Sequence, residues 1–263
     1  MGDFVLFFLV GGLAQLVDGA LGMAYGVVSS TVLLSFGVAP AQASASVHAA
    51  ELFTTAASGG SHLIHRNVDW PLFWRLVPLG IAGGVTGTYV LTSVNGSVVK
   101  PYVAIYLTII GIYLLIRSFR RIPQKPVRGP LVLPLAAIGG FLDAVGGGGW
   151  GPIVTSGLLG AGGQPRYVVG TVNTAEFLLT VAVSAGFLLA LVTGHWDQAE
   201  GLASNAVPVL GLIIGGVVAA PFAGYAVRII PERLLLRAVG VLICLLAALQ
   251  IGGLLARGGT LRA

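Results

Sequence analysis

Four consecutive glycines, Gly146 to Gly149, interrupt an apolar run that extends from Leu131 to Gly162. Glycine loses the most backbone freedom on folding and offers lipid no side chain, so it does not extend a membrane helix passively. In a bilayer, each backbone N–H and C=O freed by a break must find a protein partner or line a cavity. The stretch LDAVGGGGWGP, Leu142 to Pro152, therefore predicts an interrupted helix whose exposed backbone meets another segment or a ligand. Asp143 and Trp150 flank the break.

Composition sets the surroundings of that break. Of 263 residues, 56% are hydrophobic and 9% charged, against about 25% charged in soluble domains. The chain thus reads as an integral membrane protein. A net charge of +5 could suggest a nucleic-acid partner, but the basic residues lie in short loops between apolar runs, as the positive-inside rule requires. A single cysteine, Cys244, excludes an internal disulfide or a cysteine metal centre, and no cofactor is expected.

A weaker copy of the break occurs at LVDGALGMAYGV, Leu16 to Val27. Sliding the chain by 143 − 18 = 125 residues aligns Asp18 with Asp143, Gly22 with Gly147, Tyr25 with Trp150 and Gly26 with Gly151. The match continues without a gap through Pro40/Pro165, Glu51/Glu176 and Thr55/Thr180. Two repeats of about 125 residues follow, with residues 1–119 as the first, 120–130 as a basic cytoplasmic linker and 131–263 as the second.

The first apolar region reaches Phe36, roughly 50 Å as helix, too long for one bilayer core of about 30 Å. Two short helices meeting near Asp18 to Gly22 are expected. Phe4 to Val17 resembles a signal-peptide core, but no basic residue precedes it and its partner lies in mid-chain, so retention is expected. Helices are predicted over Gln42–His65, Pro71–Val94, Pro101–Phe119, Tyr167–Thr193, Ala203–Val227 and Leu234–Ala256. The fold class is all-α membrane protein, each repeat a broken or re-entrant hairpin plus three transmembrane helices, or 8 to 10 segments in all. If both hairpins return to their side of entry, the 14 basic residues divide 11 to 3, whereas single crossings give 9 to 5. Charge favours hairpins and opposite orientations of the repeats. Trp70, Trp74 and Trp196 are expected to be interfacial anchors.

Acids in such surroundings need a reason. Asp18, Glu51, Asp143 and Glu176 read as coupling or gating groups, with helix capping as the alternative for the aspartates. Ser44, His48, Glu51, Thr55, Ser58 and His62 share one helical face, and Asn173, Glu176 and Thr180 repeat its centre. His48 titrates near neutrality in ordinary surroundings, so it joins the coupling set, while its equivalent Asn173 does not titrate. Substrate is expected at Gly22, Tyr25 and Gly26 of the first break, at Gly146, Gly147, Gly148, Gly149, Trp150 and Gly151 of the second, and at Asn173. The aromatics would wall a cavity or pack in the core. The second break would direct unpaired N–H groups near Trp150 to Ile153 at an oxyanion, since neither broken region holds Lys or Arg.

The two-fold layout, the glycine-rich segments Asp18 to Gly26 and Asp143 to Pro152, and the spacings Pro40 to Glu51 and Pro165 to Glu176 resemble the TauE/SafE family of sulfite and organosulfonate exporters. The resemblance spans essentially the whole chain and implies a multi-pass permease of a prokaryotic inner membrane without ATPase domains. Export rests on the resemblance alone. The expected partners are a small anion and the bilayer, not nucleic acid, and a homo-oligomer is compatible with the sequence. An anion channel is the alternative. An intramembrane hydrolase ranks last, because Ser58 with His62 lacks an orienting group and an oxyanion site.

Overall fold

The computed structural model describes residues 2–120, 129–196, 205–229 and 232–260. Most of the expected linker, 121–128, and the acidic loop Asp197 to Glu200 lie outside the described residues. Among the described residues the chain is all helical. The helices are α1 (Gly2–Leu21), α2 (Tyr25–Ser35), α3 (Pro40–Ile64), α4 (Trp70–Ser93) and α5 (Gly96–Ser118). After the linker come α6 (Gly129–Gly146), a π-helical turn (Gly151–Thr155) leading into α7 (Ser156–Gly160), α8 (Pro165–Val192), α9 (Ala206–Ile229) and α10 (Glu232–Thr260). Among the described residues three helices, α4, α5 and α8, are long and apolar enough to cross a membrane by length and composition.

Local chemistry sets several boundaries. Pro40, Pro71 and Pro165 stand in first helical turns, where a missing N–H costs nothing. Asp69 caps α4 by accepting from Leu72 N–H at 3.1 Å. Asn95 caps α5 by accepting from Ser97 N–H at 2.9 Å. That cap starts α5 five residues before the expected Pro101, which now lies inside the helix.

Both breaks turn the chain back on itself. Phe7, early in α1, packs against Phe36, just past α2, with ring centroids 5.6 Å apart and the planes tilted by 57°. In the second hairpin a Cβ on Gly157 would meet Leu135 at 2.8 Å and one on Gly139 would meet Val154 at 2.5 Å. The two arms therefore run antiparallel. Their tips interlock. Thr155 Oγ1 donates to Gly22 O at 2.8 Å, and Ser30 lies against Gly147; likewise Gly26 meets Gly148 and Gly151 meets Met23. Each contact in these two pairs is the other displaced by 125.

The remaining helices interleave the halves. The principal neighbours are α1 with α9, α6 with α4, α5 with α10 and α3 with α8. Along α3 and α8, His48 lies beside Phe187, Ser58 beside Asn173 and Asn67 beside Arg166. These two helices are antiparallel, and so are α5 and α10, where Gly111 faces Cys244 and Ser118 faces Arg237. The crossings of α4 with α6 and of α1 with α9 bring main chain to main chain. A Cβ on Gly83 would sit 2.1 Å from Ala137 O, and one on Gly215 would sit 2.0 Å from Phe8 O.

Gly84 lies against Leu179 and Gly216 against Thr54, and 179 − 54 = 125, so Gly83-Gly84 and Gly215-Gly216 correspond at 215 − 83 = 132 and the repeat shifts by seven residues after α8. Trp70 and Trp74 are exposed at the start of α4, as anchors should be. Trp196 differs: its N–H bonds back to Ala190 O, and the folded-back ring is buried against Phe187 at 5.7 Å.

Gly83→Ala and Gly215→Ala are each expected to lower thermal stability in detergent, by about 1 to 3 kcal/mol from overpacking. Gly60→Ala is the control, since its Cβ would meet nothing within 4 Å. Equal melting temperatures for all three variants would contradict close helix crossings.

Candidate functional site

The interlocked tips gather the acids of the sequence analysis. Asp18, Glu51, Asp143 and Glu176 are all buried, as is His48. Glu176 lies within electrostatic range of Asp18, Glu51 and Asp143. The four carboxyl groups thus form one cluster, supplied by α1, α3, α6 and α8, with His48 as its one member able to carry positive charge. Uncompensated charges buried this way are costly, so the cluster has to take up protons or another cation. Among the described residues no group of three His, Cys, Asp or Glu is arranged to hold a metal.

Asp143 is the best anchored of the four. Its Oδ1 accepts from Gly149 N–H at 2.7 Å and Trp150 N–H at 3.0 Å. Its Oδ2 faces His48 Nε2 at 3.0 Å, the one ion pair found among the described residues. Ser44, one turn before His48, donates to Ala144 O at 2.5 Å. The second tip is therefore tied to α3 by two adjacent side chains. Asp18 holds its own tip more loosely, accepting from Tyr25 N–H at 3.4 Å.

The second break is held by its own carboxylate in this conformation. The N–H groups of Gly149 and Trp150 are not open to a ligand in this conformation, because the protein's own carboxylate satisfies them. In this conformation the glycines pack against neighbouring segments. Gly148 has φ 146°, and its Cβ would come 2.2 Å from Gly26 C and Val27 N. Gly146 and Gly149 pack against Tyr106, Gly147 against Ser30, and Gly151 against Met23. Gly22, at φ 64°, makes the equivalent turn in the first half, next to Asn173 Oδ1 and Thr155. Small residues here permit two main chains to cross.

Tyr25 and Trp150 serve the same crossing. Tyr25 OH donates to Leu212 O at 2.9 Å and Trp150 Nε1 to Val172 O at 3.1 Å. Both rings are buried, so they pack in the core, the second of the two expectations. Tyr106, which the sequence analysis passed over, donates to Gly148 O at 3.2 Å. Only its position in an otherwise apolar helix distinguished it, and that is no signal. Thr155 and Ser30 were findable, because they are equivalents at 125 on either side of the breaks.

The two polar stripes meet. Asn173 Nδ2 donates to Ser58 Oγ at 3.0 Å, joining α8 to α3. Around this seam Glu51 Oε2, Thr54 Oγ1, Asn173 Oδ1 and Thr180 Oγ1 are buried without hydrogen-bond partners. A buried polar atom left unpaired costs about 1 to 3 kcal/mol, so this seam is where a ligand would repay most. Expected coupling residues therefore sit together, while the tip glycines face each other.

The profile of the sulfite exporter TauE/SafE family matches residues 7–250. The chain belongs to the TauE/SafE family. It is also 44% identical over 255 residues to the probable membrane transporter protein YtnM of Bacillus subtilis (strain 168), covering 94% of this chain and 82% of that protein. No solved structure matches. Family and relative together make this TauE/SafE member a multi-pass membrane transporter.

The unequal anchoring of the aspartates predicts unequal mutants. Asp143→Ala removes the acceptor of two buried N–H groups and the partner of His48, and is expected to cost roughly 3 to 5 kcal/mol. Asp18→Ala, losing one long hydrogen bond, should cost about 1 kcal/mol. Thermal unfolding in detergent measures both, and an equal loss would contradict the asymmetry.

Proposed function

We propose that this transporter is a secondary exporter of small anions such as sulfite or organosulfonates, coupled to protons and alternating access between two inverted repeats in a prokaryotic inner membrane. The observation that carries the reading is the α3/α8 seam, where unpaired buried hydroxyls, an amide and two glutamates lie beside the interlocked tips. The hydroxyls of Thr54 and Thr180 can donate to an oxyanion. Ionised Glu51 and Glu176 would repel it. Anion entry therefore requires these carboxyls to be protonated, and a protonated carboxyl becomes a further donor. Anion binding then weakens as pH rises, and because proton and anion are carried together the direction of net flux follows the sum of their two gradients, so export is driven by an outward anion gradient that exceeds the inward proton gradient.

Inversion is supported by the antiparallel course of α3 and α8, which are equivalents at 125. Helix ends that the charge argument puts on one side also touch: Asn67 with Arg166, Ser93 with His195, and Ser118 with Arg237. On this reading six helices span and two hairpins enter from opposite sides. Single cysteines in a Cys244→Ser background test it. An impermeant thiol reagent on whole cells is expected to label Ser97→Cys of the first repeat and spare Arg166→Cys of the second, both exposed positions. Labelling of Arg166→Cys alone would reverse the orientation, and labelling of both would remove the inversion.

The functional test is uphill sulfite flux in proteoliposomes driven by a pH gradient. Glu51→Gln with Glu176→Gln is expected to cut that uphill flux at least about tenfold, a loss of some 1.4 kcal/mol in coupling, with the folded yield retained. It should also flatten the pH dependence of sulfite binding. Flux that only runs downhill in the wild-type protein would favour the channel. Wild-type uphill flux and pH dependence in the folded double variant would remove the glutamates from the coupling role.

A further inference from the structure

We infer that one proton held between His48 Nε2 and Asp143 Oδ2 latches the tip of the second hairpin to α3, and that this tip is released when the proton leaves. The inference rests on the proton-coupled reading above and adds where a proton sits and which element it controls. His48 Nδ1 lies 2.8 Å from Ser44 O. A carbonyl oxygen only accepts, so Nδ1 carries a hydrogen. The other ring nitrogen faces a carboxylate oxygen at 3.0 Å, and a hydrogen bond there needs one proton, whether it is assigned to the imidazole or to the carboxyl. Without it, a nitrogen lone pair confronts a carboxylate in a buried site. Attraction then becomes repulsion.

What the proton joins is specific. His48 belongs to α3, while Asp143 carries the second tip through its bonds to Gly149 and Trp150. The charges that face this pair come from Glu51 on α3 and Glu176 on α8, with Tyr106 of α5 also beside Asp143. Asp18 of α1 lies in range of both glutamates, and Phe187 of α8 covers the imidazole. None of these neighbours is a cation that could replace the proton. In the first half the histidine's equivalent is Asn173, at 48 + 125, which donates to Ser58 rather than to Asp18. The latch is therefore single. A symmetric frame holds one tip by a titratable bond and the other by a loose one.

The test uses the full-length protein with Cys244→Ser and a reporter cysteine, Val145→Cys, half-buried on the second hairpin. Its thiol-labelling rate is normalised at each pH to that of exposed Ser97→Cys. As pH rises from about 5 to about 9, across the range where a histidine titrates, the normalised rate is expected to climb about tenfold. In His48→Gln the amide can donate to Asp143 at every pH, so the rate should stay low throughout. Asp143→Asn supplies a second variant, keeping the Oδ1 cap while its amide donates to neutral His48. A flat profile with the native pair, or an equal climb in whichever variants fold, would overturn the latch. Proton-driven flux is measured separately: flux that persists with a flat labelling profile removes the latch alone, and loss of proton dependence with a rising profile removes the coupling reading alone.

Discussion

The structure depends on satisfying the main chain where two helices stop in the middle of an apolar protein. Lipid supplies no hydrogen bonds, so the freed groups at both breaks need protein partners. They find them across the centre. Gly149 and Trp150 N–H go to Asp143, Gly148 O to Tyr106 and Gly22 O to Thr155. Two of these partners come from another segment, so neither hairpin is satisfied by itself. Thr155 of the second hairpin completes the first tip, and Tyr106 of α5 completes the second.

That dependence on other segments goes with the interleaving of the halves. If α1 packed only within its own repeat, its tip would not reach the opposite tip while its base stayed fixed. Instead α1 lies along α9 and α6 along α4, with glycines letting main chains approach to contact. In a membrane, helix association is driven by packing rather than by the exclusion of water. Two closely packed pairs result, and the α3/α8 seam runs beside both. Ala24 adds local strain: it adopts φ 142° just before α2, a conformation that costs a non-glycine residue on the order of 1 to 3 kcal/mol.

Much of this was legible from residues. The glycine run and its weaker copy located both breaks, and the step of 125 paired Asp18 with Asp143 and Glu51 with Glu176. Helical spacing put Ser44, His48, Glu51 and Ser58 on one face, and that face does meet Asn173. What spacing along one helix cannot give is a partner on another. His48 was read beside Glu51, its neighbour by one turn, yet its hydrogen bond goes to Asp143, 95 residues away. In this conformation the N–H group of Trp150 is taken for a related reason. A helix start that attracts anions attracts the nearest carboxylate first, and Asp143 is tethered seven residues before it. The seven-residue shift after α8 was hidden because the ungapped match ends at Thr180.

The departure from symmetry bears most on mechanism. In an ideal pair of inverted repeats the two access states would have equal energy, and a coupling ion bound equally in both would shift neither. A ligand moves such an equilibrium only through its differential affinity for the two states. Here the equivalent positions differ in kind: His48 faces Asp143 across a shared proton, while Asn173 is engaged with Ser58 and Asp18 takes one long bond from its own tip. The glycines differ too, four in succession in one break and dispersed in the other, so the second tip can turn more sharply around its carboxylate. On the proposed cycle this inequality gives the proton a side. It stabilises the state in which the second hairpin is docked and has no comparable purchase on the first, so protonation biases access in one direction rather than merely permitting exchange.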